Sequence, residues 1–361
     1  MKKENNFYAL ILAGGSGLRF WPASREFLPK QFIDLTGSGK TLIQETFDRI
    51  NKIIKTKNIF ISTNEKYKNL VLKQIPKVNL NNLICEPLKR NTAPSILYAS
   101  LKINQINQKA KLIVLPSDHY IKKINEFYKN VEHAFSVCKS DKLVTFGINP
   151  IFPSTNYGYI KVRGTRESFQ KVLRFTEKPS KQMAEKFLKS KMYYWNSGIF
   201  VWSTETILNA FDNLEPYLIK TFKTNLEKFD SAEEIYFFQN IFPKIKPLSI
   251  DYSILEKAKN TYVIKSNFEW SDLGTWESLF ETLSIKNIKK NINIGFKDKY
   301  VNSSKGNIMF SNQKKLIIVE DLQDHIIVNN DEMLIIIPRK KIESIQKLRE
   351  VLIKKFGNGL K

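Results

Sequence analysis

The segment Leu10–Phe32, L-I-L-A-G-G-S-G-L-R-F-W-P-A-S-R-E-F-L-P-K-Q-F, limits what this chain can fold into more than any other stretch. An apolar run from Phe7 to Leu12 stops abruptly at Ala13-Gly14-Gly15-Ser16-Gly17. A short apolar run closed by glycines reads as a buried strand entering a tight loop. Glycines at 14, 15 and 17 let backbone N–H groups turn toward one point without interference from Cβ atoms. Such a loop suits an anion, most often a phosphate. Arg19 and Lys30 add two cations near the same loop, and Pro22 and Pro29 stiffen the path between them. The simplest reading is a polyphosphate held by backbone amides and two cations.

Two other phosphate motifs do not fit. Gly15-x-Gly17-x-x-Phe20 has phenylalanine where a dinucleotide fingerprint needs its third glycine. Gly37-Ser38-Gly39-Lys40-Thr41 looks like the end of a P-loop, but the first glycine of that motif would fall at Asp34, and no apolar strand leads into it. An ordinary strand–helix turn remains the alternative for Gly14–Gly17, outweighed by the attached Arg19, Pro22, Pro29 and Lys30.

The run G-G-S-G-x-R-x-W-P-x-S-R-x-x-x-P-K-Q-F resembles the signature loop of the sugar-1-phosphate nucleotidyltransferases. Trp21-Pro22 and Lys30-Gln31-Phe32 are similar to the mannose-1-phosphate guanylyltransferase branch of that family.

Composition is compatible with this. A chain of 361 residues with 42% hydrophobic and 12% aromatic content is globular and long enough for two domains. The two cysteines, Cys85 and Cys138, form no disulfide framework or metal cluster, read as small buried residues, and fit a reducing cytoplasm. The apolar run at residues 7–13 is short for a signal peptide and leads straight into the glycine loop, so a first strand and no export are expected. No run approaches the ~20 apolar residues of a membrane span. The net charge of +23 comes from lysines spread along the chain rather than gathered in a stripe, and no nucleic-acid motif accompanies them. Solvated lysines, with some help toward anionic substrates, are expected; a nucleic-acid or membrane partner is not.

Further along, strands and helices alternate to about residue 150, which predicts a mostly parallel sheet covered on both faces. Thr41-Leu42-Ile43-Gln44 reads as a capping box. Glu86-Pro-Leu-Lys-Arg90-Asn91-Thr92-Ala93-Pro94 gathers polar groups at a strand end, with Pro94 opening a helix Ser95–Ile106. Ligands of open α/β sheets bind beyond the carboxyl ends of strands, so Arg90, Asn91 and Thr92 are candidates for a base or phosphate, with helix capping as the alternative, above all for Thr92. Lys111–Asp118 is a buried strand delivering a carboxylate, suited either to Mg²⁺ or to capping a helix after Ile121. Gly158 allows close backbone approach. Glu177-Lys178 ends the run V-L-R-F-T-E-K-P and can accept sugar hydroxyl hydrogens and meet a phosphate, or form a surface ion pair. Asn196 is isolated in the aromatic run Tyr194–Trp202, most of which reads as core. Asp272 precedes Gly274 and a helix, where capping is again the alternative. From about residue 287 short β-type runs alternate with polar turns, and a closing helix spans roughly residues 341–355.

The resemblance extends over these segments in order: E-P-x-x-R-N-T-A-P, P-x-D-H, F-x-E-K-P, W-N-S-G and W-S-D-x-G. It implies an α/β, Rossmann-like mixed, mostly parallel sheet flanked by helices (the nucleotidyltransferase fold) over residues 1–285. The nucleotide half would be about 1–150 and the sugar half about 151–285. A small C-terminal β-rich, left-handed β-helix-like domain with a closing helix would occupy 286–361. It also implies transfer of GMP from GTP to mannose 1-phosphate, with Mg²⁺ on Asp118 and Asp272. Arg19, Lys30 and Lys178 would be catalytic. Leu12, Ala13, Gly14, Gly15, Ser16, Gly17, Arg90, Asn91, Pro116 and Asp118 would bind the nucleotide, and Gly158, Glu177 and Asn196 the sugar. A homodimer is the expected assembly. The family usually has glycine at position 156, where this chain has Asn156. Many members of the branch continue into a cupin-type isomerase domain, which is not expected here. The rival readings are the same chemistry on another sugar 1-phosphate (such as a heptose) or another NTP, and a non-catalytic nucleotide-binding regulator.

Overall fold

The computed structural model describes residues 4–357 and 359, apart from 139–140, 165–166, 285–286 and 288. The chain divides into two compact units, Met1–Gly14 with Phe47–Pro116 and Ile121–Trp270, and Gly15–Thr46 with Ser117–Tyr120 and Ser271–Lys361. The domain boundary expected between residues 285 and 286 lies outside the described residues, and the compact units part elsewhere.

The first unit is built on a ten-stranded sheet. Its strands are β1 (Phe7–Leu12), β2 (Ile59–Asn64), β3 (Leu83–Glu86), β4 (Lys111–Pro116), β5 (Leu143–Ile148), β6 (Tyr159–Lys161), β7 (Phe169–Lys171), β8 (Arg174–Thr176), β9 (Tyr193–Ser203) and β10 (Thr261–Ser266). The order is β3-β2-β1-β4-β9-β5-β10-β7, with β6 beside β9 and β8 beside β6. Strands β1 to β6 and β10 share one direction, and β7, β8 and β9 run against it. The sheet is therefore mixed and mostly parallel, as expected. β1 and β4 are apolar almost throughout because both sheet faces are covered. Helices such as Thr92–Ile106 and Thr204–Leu214 bury Ile96, Leu97, Ile103, Ile207 and Phe211 in the same core as Leu10, Leu112 and Val114.

One irregularity positions a side chain. Along β9 the register against β5 runs from Asn196 opposite Gly147 to Phe200 opposite Thr145, so β9 carries extra residues there. Gly198 absorbs the distortion at φ 70°. Such bulges bend a strand and re-aim its side chains, and this one carries Asn196.

In the second unit, β11 (Ile292–Ile294), β13 (Ile308–Ser311) and β15 (His325–Asn329) pair in parallel, as do β12 (Asp298–Asn302) and β14 (Leu316–Glu320). β16 (Leu334–Pro338) closes the stack antiparallel to β15. Ile292, Ile308 and Ile326 stand in register on successive coils, which is the β-helix-like arrangement the resemblance implies. Buried Asn307 ties the coils, donating to Asn291 Oδ1 at 3.0 Å and to the Leu322 carbonyl at 2.7 Å while accepting from the His325 N–H at 2.9 Å. Gly295 has φ 84°, and a Cβ there would overlap the Ser311 carbonyl oxygen, so only glycine turns this corner. Phe20, Trp21, Ile33 and Leu42 of the signature segment share one core with Leu273, Trp276, Ile308, Phe310 and Ile345. The signature segment thus packs with the C-terminal coils.

Candidate active site

The glycine loop leaves β1 at Leu12, which lies in register with Ser62 and Pro116 at the carboxyl ends of β2 and β4. Ala13 continues the ladder: its N–H donates to the Ser62 carbonyl at 2.7 Å and its carbonyl accepts from Thr63 Oγ1 at 3.1 Å. Its N–H is therefore spent within the fold. Gly14 and Gly15 are exposed, and a Cβ on either would meet nothing within 4 Å. Ser16 is half-buried. Gly17 differs. It sits at φ 58° and a Cβ there would run into the backbone and Cβ of Lys30. Of the three glycines, the last serves the fold and the first two leave open backbone.

The two cations of the signature segment also diverge. Arg19, on a 3₁₀ turn Leu18–Phe20, is exposed. Lys30 is 5% exposed. Its ammonium donates to Asp118 Oδ2 at 2.9 Å, to the backbone carbonyl of Asp272 at 2.7 Å and to that of Leu273 at 2.9 Å. These three acceptors use the three N–H groups of a lysine. Burial pushes the Asp118 carboxyl up, but Lys30 and, less strongly, His119 outweigh it and hold it below the usual carboxylate range. Asp272 folds its Oδ1 back onto the Gly274 N–H at 2.9 Å. Neither aspartate caps a helix. The helix after Asp118 begins at Ile124 with Lys123 before it. The helix after Asp272 begins at Trp276, where Thr275 and Ser278 exchange hydrogen bonds. Lys30 thus joins the two aspartates from remote parts of the sequence.

The P-loop-like stretch is closed by its own aspartate. Asp34 Oδ1 accepts from the N–H groups of Thr36, Gly37 and Ser38 at 3.1, 2.7 and 3.2 Å, and Oδ2 from Gly39 at 2.7 Å. The amides that would cradle a phosphate already hold a carboxylate.

At the end of β3, the helix expected from Ser95 begins earlier, at Thr92. Asn91, at φ 65°, caps it by accepting from the Thr92 N–H at 3.0 Å, so the capping alternative holds for Asn91. Arg90 donates from its guanidinium to the Pro243 carbonyl, and its own carbonyl accepts from the Leu248 N–H at 3.0 Å. Glu86 is buried and receives the hydroxyls of Ser62, at 3.0 Å, and Ser95. Burial pushes its carboxyl up to about 7 despite both hydroxyls.

The expected sugar residues come together in the first unit. The Asn196 N–H donates to the Gly158 carbonyl at 2.8 Å. A Cβ on Gly158 would collide with Glu177 Oε2, so the glycine makes room for that carboxylate. Lys178 extends into solvent, 3.6 Å from Glu177 Oε1, with its backbone held at φ 43°. Strain of this kind in a non-glycine residue costs of order 1–2 kcal/mol and gathers at functional sites. Burial raises the Glu177 carboxyl to about 7, Asp251 adds to the rise, and Lys178 opposes it. Asp251 lies on a single π-helical turn Asp251–Leu255 and accepts from Asn196 Nδ2 at 3.1 Å.

A nucleotidyl transferase family model matches residues 8–291. The chain belongs to the nucleotidyl transferase family, in its mannose-1-phosphate guanylyltransferase branch. It is 32% identical over 349 residues to an Escherichia coli protein named mannose-1-phosphate guanylyltransferase, covering 94% of this chain and 74% of the relative. A solved structure from Thermus thermophilus, described as a mannose-1-phosphate geranyltransferase, shares the fold with TM-score 0.86 at 24% identity, covering 96% of this chain and 99% of that one. A Helicobacter pylori structure described as a mannose-6-phosphate isomerase matches with TM-score 0.61 at 28% identity over 74% of this chain and 99% of its own. The reaction is therefore transfer of a nucleotidyl group to a sugar phosphate.

In this nucleotidyltransferase the sequence reading passed over Asp251 and Thr145. Asp251 stands in the short run S-I-D-Y, and nothing local signals that its partner is Asn196 on β9. Thr145 is one polar residue inside an apolar strand, and its hydroxyl reaches Asn196 Oδ1 at 2.9 Å. Glu86 was visible within its motif, but its burial was not.

Among the described residues no helix is long and apolar enough to cross a membrane. Neither cysteine is in a disulfide; Cys138 is buried, and Cys85 is half-buried with its thiol pushed up to about 11 by burial.

Proposed function

We propose that this enzyme transfers GMP from GTP to α-D-mannose 1-phosphate, giving GDP-mannose and pyrophosphate. The observation that carries the reading is the junction at Lys30, whose one ammonium holds the Asp118 carboxylate and the backbone carbonyl of Asp272. The choice of GTP and mannose 1-phosphate rests on the names of the branch's relatives.

In this reading a 1-phosphate oxygen attacks the α-phosphorus of GTP in line. A new P–O bond forms at the α-phosphorus as the bond to the β-phosphate bridge breaks, and pyrophosphate leaves with the electron pair. Exposed Arg19 meets the charge that grows on the departing pyrophosphate. Lys30 keeps Asp118 ionised and fixes its direction. Arg90, Asn91, Leu12 and Pro116 stand at strand ends on the nucleoside side. Lys178 holds the attacking phosphate, and Glu177 and Asn196 hold the sugar over Gly158. Catalysis here is positioning plus electrostatics.

The residues fit Mg²⁺. That ion takes one or two carboxylates and completes its octahedron with phosphate oxygens and water. Asp118, held ionised, and Asp272 would supply such a pair. When bound, Mg²⁺ would neutralise charge on the α-phosphate and order the substrates. A cytoplasmic homodimer belongs to the same reading, and sedimentation of the purified chain tests the dimer.

The test of the substrates is product identification by mass spectrometry across a panel of NTPs and sugar 1-phosphates. GDP-mannose as the preferred product supports the proposal. Preferred turnover of a heptose or another sugar 1-phosphate, or of another NTP, moves the same chemistry to that pair.

A further inference from the structure

We infer that Asp251 is a positioning residue of the sugar-phosphate site, which orients the Asn196 amide so that it can only donate to the bound sugar. The inference rests on the sugar role proposed above for Asn196. An asparagine amide offers two N–H donors and an oxygen with two lone pairs. In this structure Asn196 Oδ1 accepts from the Gly198 N–H at 3.3 Å and lies 2.9 Å from Thr145 Oγ1, whose one hydroxyl hydrogen it shares with the Ile199 carbonyl at 3.1 Å. Asn196 Nδ2 donates one hydrogen to Asp251 Oδ1 at 3.1 Å. One N–H is left without a partner among the described residues.

Asp251 decides which way round the amide lies. Turning the amide over would set its oxygen against Asp251 Oδ1, itself an acceptor, and its N–H groups against the Gly198 N–H. Both juxtapositions are repulsive. Asp251 is itself fixed, since Ser249 Oγ donates to its Oδ2 at 2.9 Å. The site then offers a donor on Asn196 and an acceptor on Glu177, both placed by Gly158: its carbonyl takes the Asn196 N–H and its missing Cβ admits the Glu177 carboxylate. A sugar hydroxyl both donates and accepts, so such a pair suits neighbouring hydroxyls. Asn196 and Asp251 lie 55 positions apart, which is why no local sequence signal shows the link.

The experiment compares steady-state kinetics of the full chain as wild type, Asp251→Asn, Asn196→Ala and the double variant, with GTP and mannose 1-phosphate varied separately. Asp251→Asn keeps the shape but lets the Asn196 amide take either orientation. The KM for mannose 1-phosphate is expected to rise about tenfold, the scale of one lost hydrogen bond, with the KM for GTP unchanged and the double variant no worse than Asn196→Ala alone. Ser249→Ala, which loosens Asp251 without changing its charge, is expected to shift the same KM in the same direction by less. An unchanged sugar KM in Asp251→Asn, equal rises in both KM values, or additive effects in the double variant would overturn the inference. Should Asp251→Asn fail to fold, Ser249→Ala decides by the same KM split. If wild type prefers another sugar 1-phosphate, the comparison is made with that sugar; that result bears on substrate choice and leaves the role of Asp251 to the variants.

Discussion

The Lys30 ammonium stands 2.9 Å from Asp118 Oδ2, a buried cation against a carboxylate that it keeps ionised. Sequence places the two at opposite ends of different segments, one after a proline in the signature loop and one at the end of β4. Their pairing holds Asp118 as an anion, and the same ammonium reaches the Asp272 turn through the Asp272 carbonyl.

Lys30→Met should therefore destabilise the chain. Removing one partner of a buried pair leaves the other charge uncompensated and costs about 3–5 kcal/mol; with the Asp118 side chain 29% exposed, a loss of about 2–4 kcal/mol in urea unfolding at pH 7 is expected. The Asp118 carboxyl is depressed in the folded state, so the pair's stabilisation is present above the ordinary aspartate range and is lost as pH falls through the folded value. The difference between wild type and Lys30→Met should shrink toward low pH.

Arg19 and Lys40 separate charge from role. Both are exposed, so alanine at either should change stability by no more than about 0.5 kcal/mol. Arg19→Ala should lower kcat by about 100-fold, the scale of losing one donor to a developing anion. Lys40→Ala, on the loop wrapped around Asp34, should stay close to wild type. Similar losses in the two variants would contradict the role given to Arg19.

Gly158→Ala places a methyl where Glu177 Oε2 lies. Glu177 must move, so the KM for the sugar phosphate should rise while the KM for the nucleotide holds. Equal KM values in wild type and variant would remove Gly158 from the sugar site.

Glu86 predicts a pH dependence of stability. Its carboxyl titrates near 4.5 when unfolded and about 7 when folded. The native state holds the proton more tightly, so this contribution is complete below pH 4.5 and is lost as pH rises through about 7. Glu86→Gln cannot ionise. Between pH 5 and pH 8 it should lose less stability than wild type by roughly 2 kcal/mol, measured by urea unfolding at each pH. Parallel curves would show that Glu86 stays ionised in the fold.

Much of this was legible in the sequence because strands announce themselves locally. The F-Y-A-L-I-L and L-I-V-L-P runs are continuous because both sheet faces are covered, and the glycine loop follows directly. Asp34 at the start of the P-loop-like stretch was a local signal too, and the structure shows the physical reason: its carboxylate takes the amides. What stayed hidden depended on distance. Which of the three glycines the fold needs depends on Lys30 packing on Gly17, and the Asn196 amide is set by Thr145 and Asp251 from other elements. Asn91 illustrates a local ambiguity that only geometry resolves: its positive φ and its bond from the Thr92 N–H make it the cap of the helix.

The most direct test of the central claim is pyrophosphate release by the purified chain with GTP and Mg²⁺, with and without mannose 1-phosphate, in wild type and in Asp118→Asn. The account predicts release by wild type only when mannose 1-phosphate is present, and loss of it in Asp118→Asn. Release from GTP alone, or undiminished release by Asp118→Asn, would contradict it.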